Sequence, residues 1–171
     1  NAKFSHYALA EKVEGISLED LSTEEKQQSA SWIANKLGQI TAFNTMMGIM
    51  DVKPGHFIVN KEHQTIAEID CEDALKGFYE ESQGYVASLE YAYQSVLLPE
   101  VLNNIPQDKA KKQTLGIFRT AFIDTLERYK TKRAEIIDTL RQELTIGCPS
   151  KKTPEETIGF VNQVLDQNPE D

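Results

Sequence analysis

At 171 residues the chain fits one domain of ordinary size, long enough for a continuous core and short for an enzyme built from two lobes. Its formal net charge of -9 and the lack of any long basic stripe argue against a nucleic-acid surface, which needs clustered Lys and Arg, and the short basic cluster Lys109, Lys111 and Lys112 is too small to overturn that. Cys71 and Cys148 lie far apart without CxxC spacing, and no apolar run approaches the roughly 20 residues that span a bilayer, so a soluble protein of the reducing cytosol is expected.

Asn1-Ala2 precedes the first informative residue abruptly and reads as a remnant of expression, so the chain is expected to be a piece of a longer protein. The run from Tyr7 to Val13 is apolar and then alternating, and it ends at Glu14-Gly15, the pattern of a strand leading into a turn. Ser22 with Glu25 three residues on is a capping-box signature, and Ile33, Leu37, Ile40, Phe43 and Met47 follow at helical spacing. Together they predict a long helix from about Thr23 to about Met47. Gly48 to Gly55 breaks that pattern, with Pro54-Gly55 as a turn signal. Phe57 to Val59 and Thr65 to Ile69 are rich in β-branched and aromatic residues, and the polar stretch from Asn60 to Gln64 predicts a five-residue loop between them.

Everything after Asp73 reads as helical. Tyr85, Leu89, Ala92 and Val96 predict one amphipathic helix stopped near Pro99, and the apolar positions from Leu115 to Leu144 predict a single longer one, ended by Gly147 and Pro149. A last helix opens with Thr153 as N-cap, Pro154 in the first turn and Glu156 completing a capping box, and the tail from Gln167 reads as frayed. The expectation is a mainly α fold with one small β-hairpin, in a single domain over 1–171. It divides into a segment at 3–22, a long helix at 23–50, a hairpin region at 51–74 and a helical remainder at 75–167.

The hairpin region is the one stretch built for chemistry. Phosphoryl transfer needs a carboxylate to orient the acceptor hydroxyl, ligands for a metal on the phosphates, and a cation against the transferring group. Asp51 precedes the first strand and Asp70 follows the second, so antiparallel pairing brings both carboxylates to one end, with Lys53 directed to the same space. A pair of aspartates suits Mg²⁺, which favours carboxylate oxygens and retained waters.

In this order the residues resemble the C-terminal lobe of the protein-kinase-like superfamily, in which a D-x-K-x-x-N loop runs into a hairpin and then a metal-binding Asp. The resemblance puts Asp51 at the catalytic Asp, Lys53 at the loop lysine, His56 at the metal-binding Asn and Asp70 at the metal-binding Asp. Ile69-Asp70-Cys71-Glu72-Asp73-Ala74 is closer to the Asp-aromatic-Glu-Asp-Ala run of the aminoglycoside and choline kinase branch than to Asp-Phe-Gly, and Gly55-His56 resembles some phosphatidylinositol-kinase-like proteins. Upstream, Ala10 to Leu18 is similar to the hinge of that branch, which implies nucleotide contacts near Glu11 and Val13, made in the family by backbone groups. The likeness covers roughly Tyr7 to Ala74. It implies a kinase-like C-lobe using Mg-ATP.

Three departures from the family pattern stand out. No Gly-rich loop, strand lysine or helix glutamate precedes Tyr7, so the nucleotide lobe is missing from the pattern. Ile49 replaces the histidine two residues before the catalytic Asp. His56 replaces an amide, and imidazole suits Zn²⁺ or Mn²⁺ better than Mg²⁺.

Because Glu72-Asp73-Ala74-Leu75 enters helical sequence without a long activation segment, the acceptor implied is a hydroxyl of a small molecule or lipid headgroup rather than a peptide. A protein partner or a second copy covering the exposed lobe face is a further expectation. The alternative is a non-catalytic pseudokinase or helical protein-interaction module.

Taken one at a time, the same residues have plainer readings. Asp51 serves as a turn or cap residue, Asp70 or Asp73 as the N-cap of the next helix, and Lys53 as a solvated loop lysine. A histidine beside an aromatic, as His56 is, is more often a packing group than a ligand. Glu11 and Glu14 read as surface charges and Cys71 as a small buried hydrophobe.

Overall fold

In a computed structural model, residues 13–49, 52–69, 94–146 and 153–167 are described. The fold is mainly helical with one small antiparallel sheet. The strands are β1 (Ile16–Ser17), β2 (Phe57–Asn60) and β3 (Thr65–Glu68), and the helices are α1 (Thr23–Met47), α2 (Leu98–Leu102), α3 (Asp108–Thr131), α4 (Arg133–Ile146) and α5 (Pro154–Asp166).

α1 organises the rest. Its N-terminus is closed by the expected capping box: the Glu25 amide donates to Ser22 Oγ (3.3 Å) and the Ser22 amide donates to the Glu25 carboxylate (2.9 Å), so two backbone donors that lack helical partners are satisfied. Lys61, in the turn between β2 and β3, reaches the same carboxylate; this ion pair, with the Ser22 bonds, holds the Glu25 carboxyl at about 2 against an ordinary 4.5. The C-terminus closes at Gly48, whose φ of 67° lies in the left-handed region, and the Ile49 amide then donates to the Asn44 carbonyl (2.9 Å).

α1 packs most extensively against α3 and also meets α2, α5 and β3. Ile33, Ala34 and Leu37 are fully buried, with Phe118, Phe122 and Leu126 of α3 in the same core. Phe43, expected on the apolar stripe, is instead exposed; its place inside is taken by Thr41, Asn44 and Thr45, all fully buried. Two of these polar groups are satisfied within the helix, where the Thr41 and Thr45 hydroxyls donate to the carbonyls of Leu37 and Thr41 (2.7 Å each). The corner leading into α1 is clamped by Lys26, whose ammonium donates to the Glu19 carbonyl (3.0 Å) and to the Glu100 carboxylate of α2 (2.9 Å).

Local details extend or correct these expectations. The β2–β3 turn has four residues, because Asn60 pairs with Thr65 and so belongs to the strand; the Asn60 side chain accepts from the His63 amide and Gln64 takes the left-handed conformation (φ 50°). Ile16-Ser17, beyond the turn at Glu14-Gly15, forms a short strand on β2. As expected, the helix that includes residues 94–96 ends just before Pro99, and Pro99 itself lies in the first turn of α2, a position where its missing N–H costs nothing. The single helix expected over Leu115 to Leu144 is two, broken at Lys132, beyond which Arg133 ties α4 to α5 through Asn162 (2.7 Å) and Asp166 (2.5 Å).

The last helix opens as expected, with the reciprocal Thr153 and Glu156 bonds of a capping box. The helix expected over Tyr85 to Val96 and the Gly147 and Pro149 stop lie largely outside the described residues, as do Tyr7 to Lys12. Among the described residues no helix is long and apolar enough to cross a membrane.

Candidate functional site

The sheet has the order β1-β2-β3 with both pairings antiparallel, and β2 is central. Its alternation is legible in burial: Phe57 and Val59 are buried, Ile58 and Asn60 half-buried. β1 is fastened to it by two devices. The Leu18 amide donates to the Phe57 carbonyl (2.8 Å). Gly15, at a φ of 146°, lets the chain approach so closely that a Cβ there would stand 2.6 Å from the Val59 carbonyl oxygen.

The two ends of the hairpin meet at its mouth. Phe57 is the register partner of Glu68, and one step beyond, the Ile69 amide donates to the His56 carbonyl (2.8 Å). The peptide entering β2 is a single 3-10 turn, Pro54–His56, closed by the His56 amide donating to the Lys53 carbonyl (3.0 Å). Lys53 is exposed and Val52 packs against the core, while His56 is half-buried with its Nδ1 shut off from solvent. The structure therefore brings Lys53 and His56 to one turn and joins that turn to Ile69, the sequence neighbour of Asp70. Asp51, Asp70 and Glu11 lie outside the described residues. Val13 is exposed, and just beyond it the Glu14 carbonyl accepts a long bond from the Asn60 side chain (3.5 Å).

Two residues at this mouth escape sequence reasoning. Glu68 shares with Phe57 the side of the ladder turned toward α1, and the fully buried Asn44 of α1 donates its amide N–H to the Glu68 carboxylate (2.5 Å). Burial pushes the Glu68 carboxyl up from its ordinary value, while the Asn44 bond and the charge of His56 pull it back. An acid in an amphipathic strand ordinarily reads as a solvent-facing residue. Its burial follows from a partner 24 positions away, which only the fold reveals.

A carboxylate and an imidazole are usable donors for a divalent cation, yet among the described residues no three His, Cys, Asp or Glu side chains converge on one point. A ligand set of Asp70 with His56 thus extends beyond the described residues. An open groove of about 690 Å³ between α1 and α3, lined by Asn35, Gln39, Asp124, Arg128 and Lys132 among others, takes no residue from the hairpin. It is bordered by side chains already engaged with one another, such as Gln39 with Asn35 and Arg128 with Thr125. No family model matches the chain, and neither the curated proteins nor the solved structures contain a match to it.

Proposed function

We propose that the chain is the C-lobe of a kinase-like phosphotransferase that passes the ATP γ-phosphate to a hydroxyl of a small molecule or lipid headgroup. What carries the reading is the 2.8 Å bond from the Ile69 amide to the His56 carbonyl, which ties the sequence neighbour of Asp70 to the turn that contains Lys53. The order of long helix, turn and hairpin adds to it. Asp51 would orient the acceptor hydroxyl, and Lys53 would offset negative charge on the transferring group. Asp70, with His56, would hold the metal; Mg-ATP, when bound, supplies the phosphoryl group and screens its charge. Val13, near Glu11, would lie at the nucleotide edge. A second reading, a non-catalytic pseudokinase or interaction module, is favoured by the exposed apolar side chains of Ile16 in β1 and Val13 just before it, a surface suited to a partner.

The chemical step separates the two. With the protein expressed together with all the sequence that flanks it in its gene, transfer of labelled phosphate to a panel of polyols, amino alcohols and phosphoinositide headgroups is expected. Asp51→Asn should lower transfer by about 10²–10⁴-fold, the range for general-base catalysis, while leaving nucleotide affinity within a few-fold. Transfer by the Asp51→Asn form at the rate of the unmodified protein contradicts the assignment.

A further inference from the structure

Asp124 and Arg128 stand four residues apart on α3, in the spacing at which opposite charges on a helix ordinarily pair. Here they do not. The Arg128 guanidinium turns instead to the buried Thr125, donating to its Oγ1 (2.8 Å), and among the described residues Asp124 has no ion-pair partner. Glu127, by contrast, is paired with Lys130 (2.6 Å). Asp124 and Arg128 both line the groove between α1 and α3. Arg128 has spent one of its five donors on Thr125, so most of its fork is left for a guest.

The α1 wall is equally set. Gln39 donates its side-chain amide to Asn35 (2.9 Å), which fixes the two side chains relative to each other and leaves a carbonyl oxygen on Gln39 and an N–H₂ on Asn35. Lys132, also on the groove, is the residue at which α3 gives way to α4 (φ -97°, ψ 16°), with neither Gly nor Pro to cause the break. Its ammonium meets Glu135 only at 3.9 Å, in an exposed pair of little strength. At about 690 Å³ the groove has the size of a small-molecule site and is far larger than a single ion needs. A simple anion there would face Asp124, and a simple cation would face Arg128 and Lys132, so each meets a like charge. A molecule carrying both charges turns those repulsions into contacts. We infer that the groove between α1 and α3 binds a small zwitterion, its carboxylate or phosphate held by Arg128 with Lys132, its protonated amine by Asp124, and its remaining polar atoms by Asn35 and Gln39. The site takes no residue from the hairpin and stands whether or not the chain transfers phosphate.

The test is calorimetric titration of the full chain with ω-amino acids from glycine to 5-aminopentanoate and with O-phosphoethanolamine, joined to nitrogen-15 spectra of the Asn35 and Gln39 side-chain amides. At least one member is expected to bind at about 1 mM or tighter and to shift both amides, and the comparison of amino acids with phosphoethanolamine shows which anion is preferred. Acetate, inorganic phosphate and ethylamine, each with charge of one sign, should bind about 10-fold or more weakly. Asp124→Asn and Arg128→Gln should each weaken the best zwitterion by about 10–100-fold, while Asp124→Asn leaves inorganic phosphate no weaker. Lys112→Gln, on an exposed part of α3 outside the groove, removes the same charge as Arg128→Gln and should change nothing. Should Arg128→Gln be unstable because Thr125 loses its donor, Asp124→Asn carries the test alone, since it breaks no ion pair of the fold. The inference is overturned by no probe binding at about 1 mM, by acetate or phosphate binding as tightly as the zwitterion, by binding that shifts neither amide, or by undiminished affinity in Asp124→Asn. An equal loss in Lys112→Gln also overturns it, since that marks attraction to the overall charge and not a site between α1 and α3.

Discussion

Gly38→Ala is expected to destabilise the protein by about 1–3 kcal/mol, and Gly38→Val by more, up to loss of the folded state. At this position α1 and α3 approach without an intervening side chain: a Cβ on Gly38 would stand 2.4 Å from the Phe118 carbonyl oxygen and 3.0 Å from the Ala121 Cβ. The first of these atoms is helix backbone, so relief requires the two helices to move apart. That motion would loosen the packing of Leu37 against Phe118 and Phe122, the centre of the core. Gly116 provides the control, since it lies within α3 with nothing inside 4 Å of an added Cβ. There the same substitution should stabilise by about 0.5–1 kcal/mol through helix propensity alone. Urea denaturation of the two variants is expected to give midpoint shifts of opposite sign; a Gly38→Ala midpoint at or above that of the unmodified protein contradicts the packing described.

Lys26→Ala is the second large effect, expected at about 2–3 kcal/mol. Lys26 is only 6% exposed and its ammonium makes two bonds, one to the Glu19 carbonyl and one to the Glu100 carboxylate. Breaking a fully buried pair from one side costs about 3–5 kcal/mol, but the Glu100 side chain is 36% exposed and regains water, so the lower figure applies. Lys26→Met keeps the stem that covers the core and should cost about half as much. Because Glu19 follows Leu18, whose amide joins β1 to Phe57, hydrogen exchange at Leu18 should accelerate in Lys26→Ala more than exchange in the middle of α3. Equal acceleration at both places would mean that Lys26 supports the whole fold and not this corner.

The parts of the fold that were legible in the sequence are those with local chemical signatures. The Ser22 and Glu25 capping box fixed the start of α1, Gly48 its end, and Thr153-Pro154-Glu156 the start of α5, because caps are made by residues within one turn of each other. The hairpin was legible from its β-branched and aromatic residues, with an error of one residue at the turn because Asn60 has turn chemistry and yet pairs with Thr65. Two features lacked any local mark. A two-residue strand such as Ile16-Ser17 is too short to show a period. The break at Lys132 carries neither Gly nor Pro and interrupts no apolar spacing, so Leu115 to Leu144 reads as one helix.

The candidate site divides along the same line. Lys53 and His56 could be picked out because the turn signal Pro54-Gly55 and the strand after it are local, and their convergence with Ile69 followed from antiparallel pairing. Asn44 and Glu68 could not, since a buried Asn inside a helix and a half-buried Glu on a strand acquire meaning only when α1 and β3 are brought together. That contact also gives the site a rigid support: the strand end before Asp70 is attached to the long central helix and not only to its own hairpin.

The most direct measurement is calorimetric titration of Mg-ATP into the protein, expressed with its natural flanking sequence, alongside its Asp70→Asn form. Saturable binding to the unmodified protein, abolished in Asp70→Asn while thermal stability stays within a few degrees, is the result predicted for a kinase-like lobe whose hairpin mouth holds the metal on ATP. Equal affinity in the two forms, or no binding by the unmodified protein, contradicts it.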